Sequence, residues 1–288
     1  MGQRSTSKDA NEILHAVRAL VTLVEEGPPG AMADEERPSS IKLFRALDDV
    51  AKGDGPIVVG PWTGEIGFEL LYWIPFLEWF RARWRVQAER LVIVSRGGVE
   101  SWYGAAGARY VDVFALVSPA VFRERADRDK QRRLSAFDDE LLKAASQRLG
   151  VDRSTNLHPH LMYRAFGPFW KDEAGFGLIS RFTHHRRLEP ADDAVLRRLP
   201  EKFVAVRFYF SNCFPEKPRN RAAVETLVSA LAERTHVVVL SPGHRVDDHS
   251  DYAPDAGGRV MTIPAGPPER NLALQTAVIS RARAFVGT

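Results

Sequence analysis

Glu65 and Glu69 stand four residues apart in GPWTGEIGFELLYWIPF, residues 60–76, just after the apolar run Ile57-Val58-Val59. A carboxylate leaving the carboxyl end of a strand projects to where open α/β sheets bind ligands. There it works as a general base if it reaches the proton of a bound hydroxyl. The same spacing also places both side chains on one face at the start of a helix. In that setting the dipole and free N–H groups hold a carboxylate by about 0.3–1 kcal/mol, with no chemistry involved. Both readings stand for each residue; as a base, Glu65 is favoured by its place in the loop and Glu69 is the alternative. The glycines between them, Gly60, Gly64 and Gly67, are spaced Gly-x-x-x-Gly-x-x-Gly, which is not the dinucleotide fingerprint. The next apolar run ends Ser95-Arg96 and supplies no acidic partner for a ribose. The glycines therefore read as residues that tighten the turn and let backbone approach a ligand.

Arg207 interrupts the apolar run FVAVRFYF near its end. A guanidinium in a buried strand needs a carboxylate or a phosphate. Its planar fork suits a diphosphate, and an internal salt bridge is the other solution. Ser211, Asn212 and Lys217 follow in the next loop as further donors. The segment SPGHRVDDHSDY, 241–252, clusters Asp247, Asp248, His249 and Asp251, but at a spacing that matches no metal cage, so no metal site is expected. His158 and His160 read as structural residues, and His184-His185-Arg186-Arg187 as an exposed basic linker. Trp73, Trp79 and Trp84 read as core.

These groups need a scaffold. The chain has 288 residues, 44% of them hydrophobic and 27% charged, the composition of a folded soluble domain or two. A formal charge of +3 is too small to argue for nucleic acid. The single cysteine, Cys213, excludes an internal disulfide and suits a reducing cytoplasm. Apolar spacing predicts an amphipathic helix over 9–26, then a Gly/Pro-rich linker over 27–40 and a short helix over 41–51. From 56 the pattern alternates: strand 57–59, helix 66–84 with a kink or break at Pro75, strand 90–96, a Gly-rich turn and short helix, a third strand near 110–115, and one long polar helix over 119–149. Residues 150–200 are irregular. Alternation then resumes with strands at 202–210, 236–241, 259–264 and 284–288 and helices over 219–234 and 269–282. Short, nearly all-apolar strands between helices predict parallel sheets covered on both faces.

Two Rossmann-like halves with a cleft between them resemble the GT-B glycosyltransferase architecture. GEIGFELLYWIPFLEWFR is similar to the Gly-Asp-x-Leu…Pro…Leu segment that opens heptosyltransferase-type enzymes; with Pro75 aligned, Glu69 stands where those enzymes carry Asp. FVAVRF resembles the strand of fucosyltransferase-like enzymes that delivers an Arg, here Arg207, to the donor diphosphate. NLALQTAVISRARAFVGT resembles the helix and strand before their Gly/Ser-rich donor loop.

The resemblance implies an N-terminal helical extension (1–55), an acceptor-side half with an irregular bridge (56–195) and a donor-side half (196–288). That last half is expected to be a truncated domain, because the loop would follow Thr288. It implies transfer of a sugar from a nucleotide-sugar donor to a glycan or lipid-linked acceptor, inverting and metal-independent, with no cofactor beyond the co-substrate. Donor phosphates would meet Arg207, Ser211, Asn212, Lys217 and Thr288. The donor nucleotide would meet Gly243, His244 and Asp248. The acceptor would meet Trp62, Thr63, Arg96, Trp102 and Tyr103. The setting would be cytoplasmic, with peripheral attachment to an inner membrane compatible with the mild positive charge. Other expectations on the same fold are a nucleotide-sugar epimerase, a polysaccharide pyruvyl transferase, or a binding module without catalysis.

Overall fold

The computed structural model describes residues 38–126, 131–151, 153–188, 194–240, 250–254 and 257–288. The helix expected over 9–26 and most of the linker lie outside the described residues. The first described helix, α1 (Pro38–Ala51), starts earlier than the expected 41–51 because Pro38 suits a first helical turn. Leu43, Leu47 and Val50 recur on one face and are buried.

The first sheet is built from β1 (Ile57–Val59), β2 (Leu91–Ser95), β3 (Arg109–Asp112) and β4 (Thr155–Leu157), in the order β3-β2-β1-β4. All three pairings are parallel. The second contains β5 (Phe203–Arg207), β7 (His236–Leu240), β9 (Val260–Ile263) and β10 (Ala284–Gly287), in the order β10-β5-β7-β9 and again parallel throughout. Counted within its own sheet, each order is 3-2-1-4, compatible with a Rossmann-like fold. Successive strand residues face opposite sides. Ile57, Val59, Leu91 and Ile93 enter one core and Val58, Val92 and Val94 the other. Phe203, Ala205 and Val238 are likewise separated from Val206, Val237 and Val239. Covering both faces is why these strands are apolar without alternation.

Several expected elements take a different form. The helix after β1 is composite: α2 (Ile66–Phe68), a π-helical turn over Glu69–Trp73, then α3 (Ile74–Trp84). Pro75 has no N–H to give the preceding turn, and Ile74 N–H already reaches back five residues to Glu69 O. The kink expected at Pro75 is thus a change of register just before it. The Gly-rich turn leads, as expected, into a short helix, α4 (Glu100–Tyr103). The long helix over 119–149 is two helices, α5 (Pro119–Arg125) and α6 (Ala136–Arg148). Ser135 and Asp138 form a capping box that starts α6 afresh.

The irregular bridge holds β4 and then α7 (Pro159–Ala165), α8 (Gly167–Trp170) and α9 (Gly177–Arg181). The strand expected over 202–210 breaks at Phe208. Beyond it β6 (Tyr209–Phe210) turns away to pair antiparallel with β8 (Ser250–Asp251). α10 (Pro218–Arg234) and α11 (Asn271–Arg281) complete the second unit. Among the described residues, no helix is long and apolar enough to cross a membrane.

Candidate functional site at the carboxyl edges of the sheets

Order 3-2-1-4 puts a topological switch point between the first and fourth strands of each sheet, and ligands of open α/β sheets bind outside the carboxyl ends there. In the first sheet that edge is the loop Gly60–Glu65 and the exit of β4. Gly60 N donates to Leu157 O at 3.0 Å and Trp62 N to Val94 O at 2.9 Å. A Cβ on Gly60 would lie 2.4 Å from Val94 O, so only glycine lets the chain pass this close.

Gln131, fully buried, holds the rest of the loop. Its Oε1 accepts from Thr63 N (3.0 Å) and Gly64 N (3.1 Å); its Nε2 donates to Pro61 O (2.8 Å) and Asp138 Oδ1 (3.1 Å). All four hydrogen-bonding capacities of the amide are used, which also fixes its orientation. Burial alone would raise the Asp138 pKa, but His158 and the N–H and hydroxyl of Ser135 outweigh it and hold the group below its ordinary value. His158 Nε2 lies 3.4 Å from Asp138 Oδ2. His158 Nδ1 accepts from His160 N at 3.1 Å and stands 3.0 Å from His160 Nδ1. That places the His160 proton on Nδ1 and leaves its Nε2 as an acceptor. Burial, with His158 and Arg164 nearby, lowers the His160 pKa to about 4.

Glu65 is exposed at the start of α2. Glu69 is not: it is fully buried, and its Oε1 accepts from Ser95 Oγ (2.5 Å) and Tyr103 OH (2.6 Å). Burial raises its pKa, against the pull of Arg96, Ser95 and Tyr103. Glu69 therefore ties the π turn to β2 and α4, and the expectation of a cleft base at this residue is corrected by its sealing.

The expected acceptor residues are corrected on the same ground. Trp62 and Tyr103 are core residues, with Trp62 stacked on Trp73 at 6.0 Å. Thr63 is buried beneath Gln131. Arg96 is buried, donating to Gly64 O at 2.6 Å and lying 5.2 Å from the centre of the Phe122 ring. Trp102 is buried and gives its indole N–H to Thr276 Oγ1 at 3.2 Å.

The glycine-rich loop is closed by the second unit. Ala273 N donates to Gly97 O at 3.0 Å, and Leu272 packs on the first core. A Cβ on Gly98 would meet Glu269 O at 2.5 Å. Asp112 pins this loop, accepting from Gly98 N (2.7 Å), Phe114 N (2.9 Å) and Tyr110 OH (3.0 Å). Burial pushes its pKa up to about 6 despite those bonds, with Glu269 adding to the rise. Arg186, expected in an exposed linker, bonds Trp102 O and lies 3.7 Å from Glu78, while His184 N donates to Pro75 O at 2.9 Å.

At the second sheet the switch point lies between β5 and β10. Arg207 ends β5, opposite Gly287, and Thr288 N donates to Arg207 O at 3.3 Å. Thr288 Oγ1 also bonds both the N–H and the carbonyl of Tyr209 at 2.9 Å. The Arg207 side chain is partly exposed, its Nη2 3.8 Å from Asp251 Oδ1 and its guanidinium 5.4 Å from the Tyr209 ring centre. Its Nε is buried with no hydrogen-bond partner among the described residues. Arg207 and Thr288 are thus brought together, with a loose internal ion pair beside them. Ser211, Asn212 and Lys217 follow β6; Ser211 N is committed to Phe214 O, and the other two side chains are exposed. Gly243, His244 and Asp248 lie outside the described residues. Among the described residues, no group of three His, Cys, Asp or Glu side chains is placed to hold a metal ion.

Two of the hollows among the described residues lie in the first unit. One of about 750 Å³ opens beside the connection from α6 into β4, away from the carboxyl ends. The other, about 380 Å³, is walled by Tyr163, Trp170, Arg132 and Arg164. Burial raises the Tyr163 pKa, and Glu65 close by raises it further. Sequence reading missed Gln131, Asp138 and this pocket; its one available signal was the Ser-x-x-Asp cap at 135–138. No family model, curated protein or solved structure matches the chain.

Proposed function

We propose that the chain is a sugar transferase of the GT-B kind, with the acceptor on the first sheet and the nucleotide-sugar donor on the second. The observation that carries this reading is the repeated 3-2-1-4 parallel sheet, with a basic side chain, Arg207, ending the first strand of the second copy. Glu65 supports it as the exposed carboxylate beyond β1. In the reaction Glu65 takes the proton of an acceptor hydroxyl while that oxygen forms its bond to the anomeric carbon. The bond from that carbon to the diphosphate oxygen breaks, and the nucleoside diphosphate leaves with the electron pair. Arg207 compensates the charge gathering on the departing phosphate. Displacement by one base in one step inverts the anomeric centre.

The test is thermal denaturation with UDP, GDP, ADP, CDP and dTDP. At least one should raise the midpoint, and Arg207→Ala should abolish that rise. If the wild-type midpoint is indifferent to all five, or the rise survives in Arg207→Ala, the donor assignment fails. A second reading, a binding module without turnover, is favoured by one observation: the aligned carboxylate Glu69 is sealed in the interior. Consumption of a bound nucleotide-sugar by wild type but not by Glu65→Gln would set it aside.

A further inference from the structure

The pocket between α7 and α8 has no place in the chemistry above. Its volume, about 380 Å³, lies in the range of small-molecule sites. Three cations line it, Arg132, Arg164 and Lys171, against one carboxylate, Glu173. Among the described residues no carboxylate lies within ion-pair distance of any of the three. The remaining wall is aromatic: Tyr163, and Trp170, which is held by stacking on Phe68 at 5.7 Å and by an edge contact with Tyr72 at 5.3 Å. Phe68 ends the short helix α2, which Glu65 immediately precedes, so the loop that presents Glu65 is anchored to the pocket wall. Cations spaced around an aromatic wall favour a ring that carries a negative group: the wall covers the ring, and the guanidinium groups bond the anion.

We infer that this pocket binds the anionic group of a sugar acceptor, a phosphate or a carboxylate, and so holds the acceptor beside Glu65. The assignment rests on reading the first sheet as the acceptor side. It narrows the acceptor class to acidic sugars or sugar phosphates.

Calorimetric titration with glucose 6-phosphate, glucuronate and neutral glucose tests this. It is run without nucleotide, so that failure leaves the Arg207 result untouched. Saturable binding of glucose 6-phosphate or of glucuronate is expected, and the preferred one identifies the anion. Neutral glucose should not bind, and added salt should weaken the interaction. The double variant Arg132→Gln/Arg164→Gln should bind the anionic sugar at least about tenfold more weakly, a loss in line with removing charge-assisted hydrogen bonds. Both side chains are exposed, so the fold should survive. Should the double variant unfold, Lys171→Gln carries the same test, with a drop of about threefold expected for one exposed cation. Binding of neutral glucose as strong as that of the anions, no binding of either anion, or unchanged affinity in the charge variants would overturn the assignment.

Discussion

Glu69 illustrates how burial redirects a residue type. The same carboxylate that would be a base in a cleft becomes, fully enclosed, the acceptor that joins Ser95 and Tyr103 and compensates the buried Arg96. Removing one partner of such a group leaves the others desolvated and unpaired. Glu69→Ala should therefore lose about 3–5 kcal/mol of stability, the usual cost of breaking a buried charged network. Glu69→Gln keeps an acceptor for the two hydroxyls and should lose less, about 1–2 kcal/mol for the charge alone. Urea denaturation of the two variants reads both numbers, and a loss below about 1 kcal/mol in Glu69→Ala would show that the network is not holding the fold. Glu65 gives the complementary case: four residues away and exposed, it can change without a stability penalty of that kind. Glu65→Gln keeps the side chain's shape on an exposed position, so its stability cost should stay below about 1 kcal/mol, the range of an exposed charge.

The loop after β2 is the element where the two units meet, and its glycines show why. Gly98 has φ +76, and a Cβ there would run into the backbone carbonyl of Glu269 at 2.5 Å. Gly98→Ala should cost about 1–3 kcal/mol from strain at this φ and displacement of the contact. Gly67→Ala, with nothing within 4 Å of the added carbon, should be neutral or slightly stabilising. Equal thermal midpoints for the two variants would contradict the junction. The sequence sets this Gly-rich turn beside the expected acceptor residues Trp102 and Tyr103, because a tight turn after a strand serves a ligand or a packing contact alike. The strands were legible for a reason of their own: β1 and the stretches 91–94, 203–206 and 237–240 of β2, β5 and β7 are covered on both faces and so are apolar without alternation. β4 was not, since Thr155-Asn156-Leu157 is short, with two of its three residues polar, and is a strand only because it pairs with β1. Gln131 was illegible too. Nothing in a polar run distinguishes the one amide whose four partners come from Pro61, Thr63, Gly64 and Asp138, and only the folded loop supplies them.

At the scale of the whole molecule, two sheets of one strand order are joined through the Gly97-Gly98 loop, and each side of the first sheet's carboxyl edge carries a group with a shifted pKa, buried Asp112 and half-buried His160. Asp112 holds the loop and faces Tyr110 and Glu269; His160 lies at the exit of β4 and faces His158 and Arg164. Their shifts oppose each other. Asp112 rises from 3.8 to about 6, so between those values the folded state holds more proton than the unfolded chain. Its contribution is therefore lost as pH rises through that window. His160 falls from 6.5 to about 4, so between those values the unfolded chain holds more proton, and stability is gained as pH rises. The Asp112 slope amounts to about 3 kcal/mol across its window; the His160 slope is smaller because that ring is partly exposed to solvent. In the wild type the two act in opposite directions between pH 4.5 and 6. His160→Asn removes the rising contribution, so its midpoint should fall relative to that of the wild type as pH rises over that range. Asp112→Asn removes the falling contribution, so its midpoint should rise relative to that of the wild type. Thermal scans of the three proteins across the range check the signs directly, and parallel curves would show that neither group titrates against the fold.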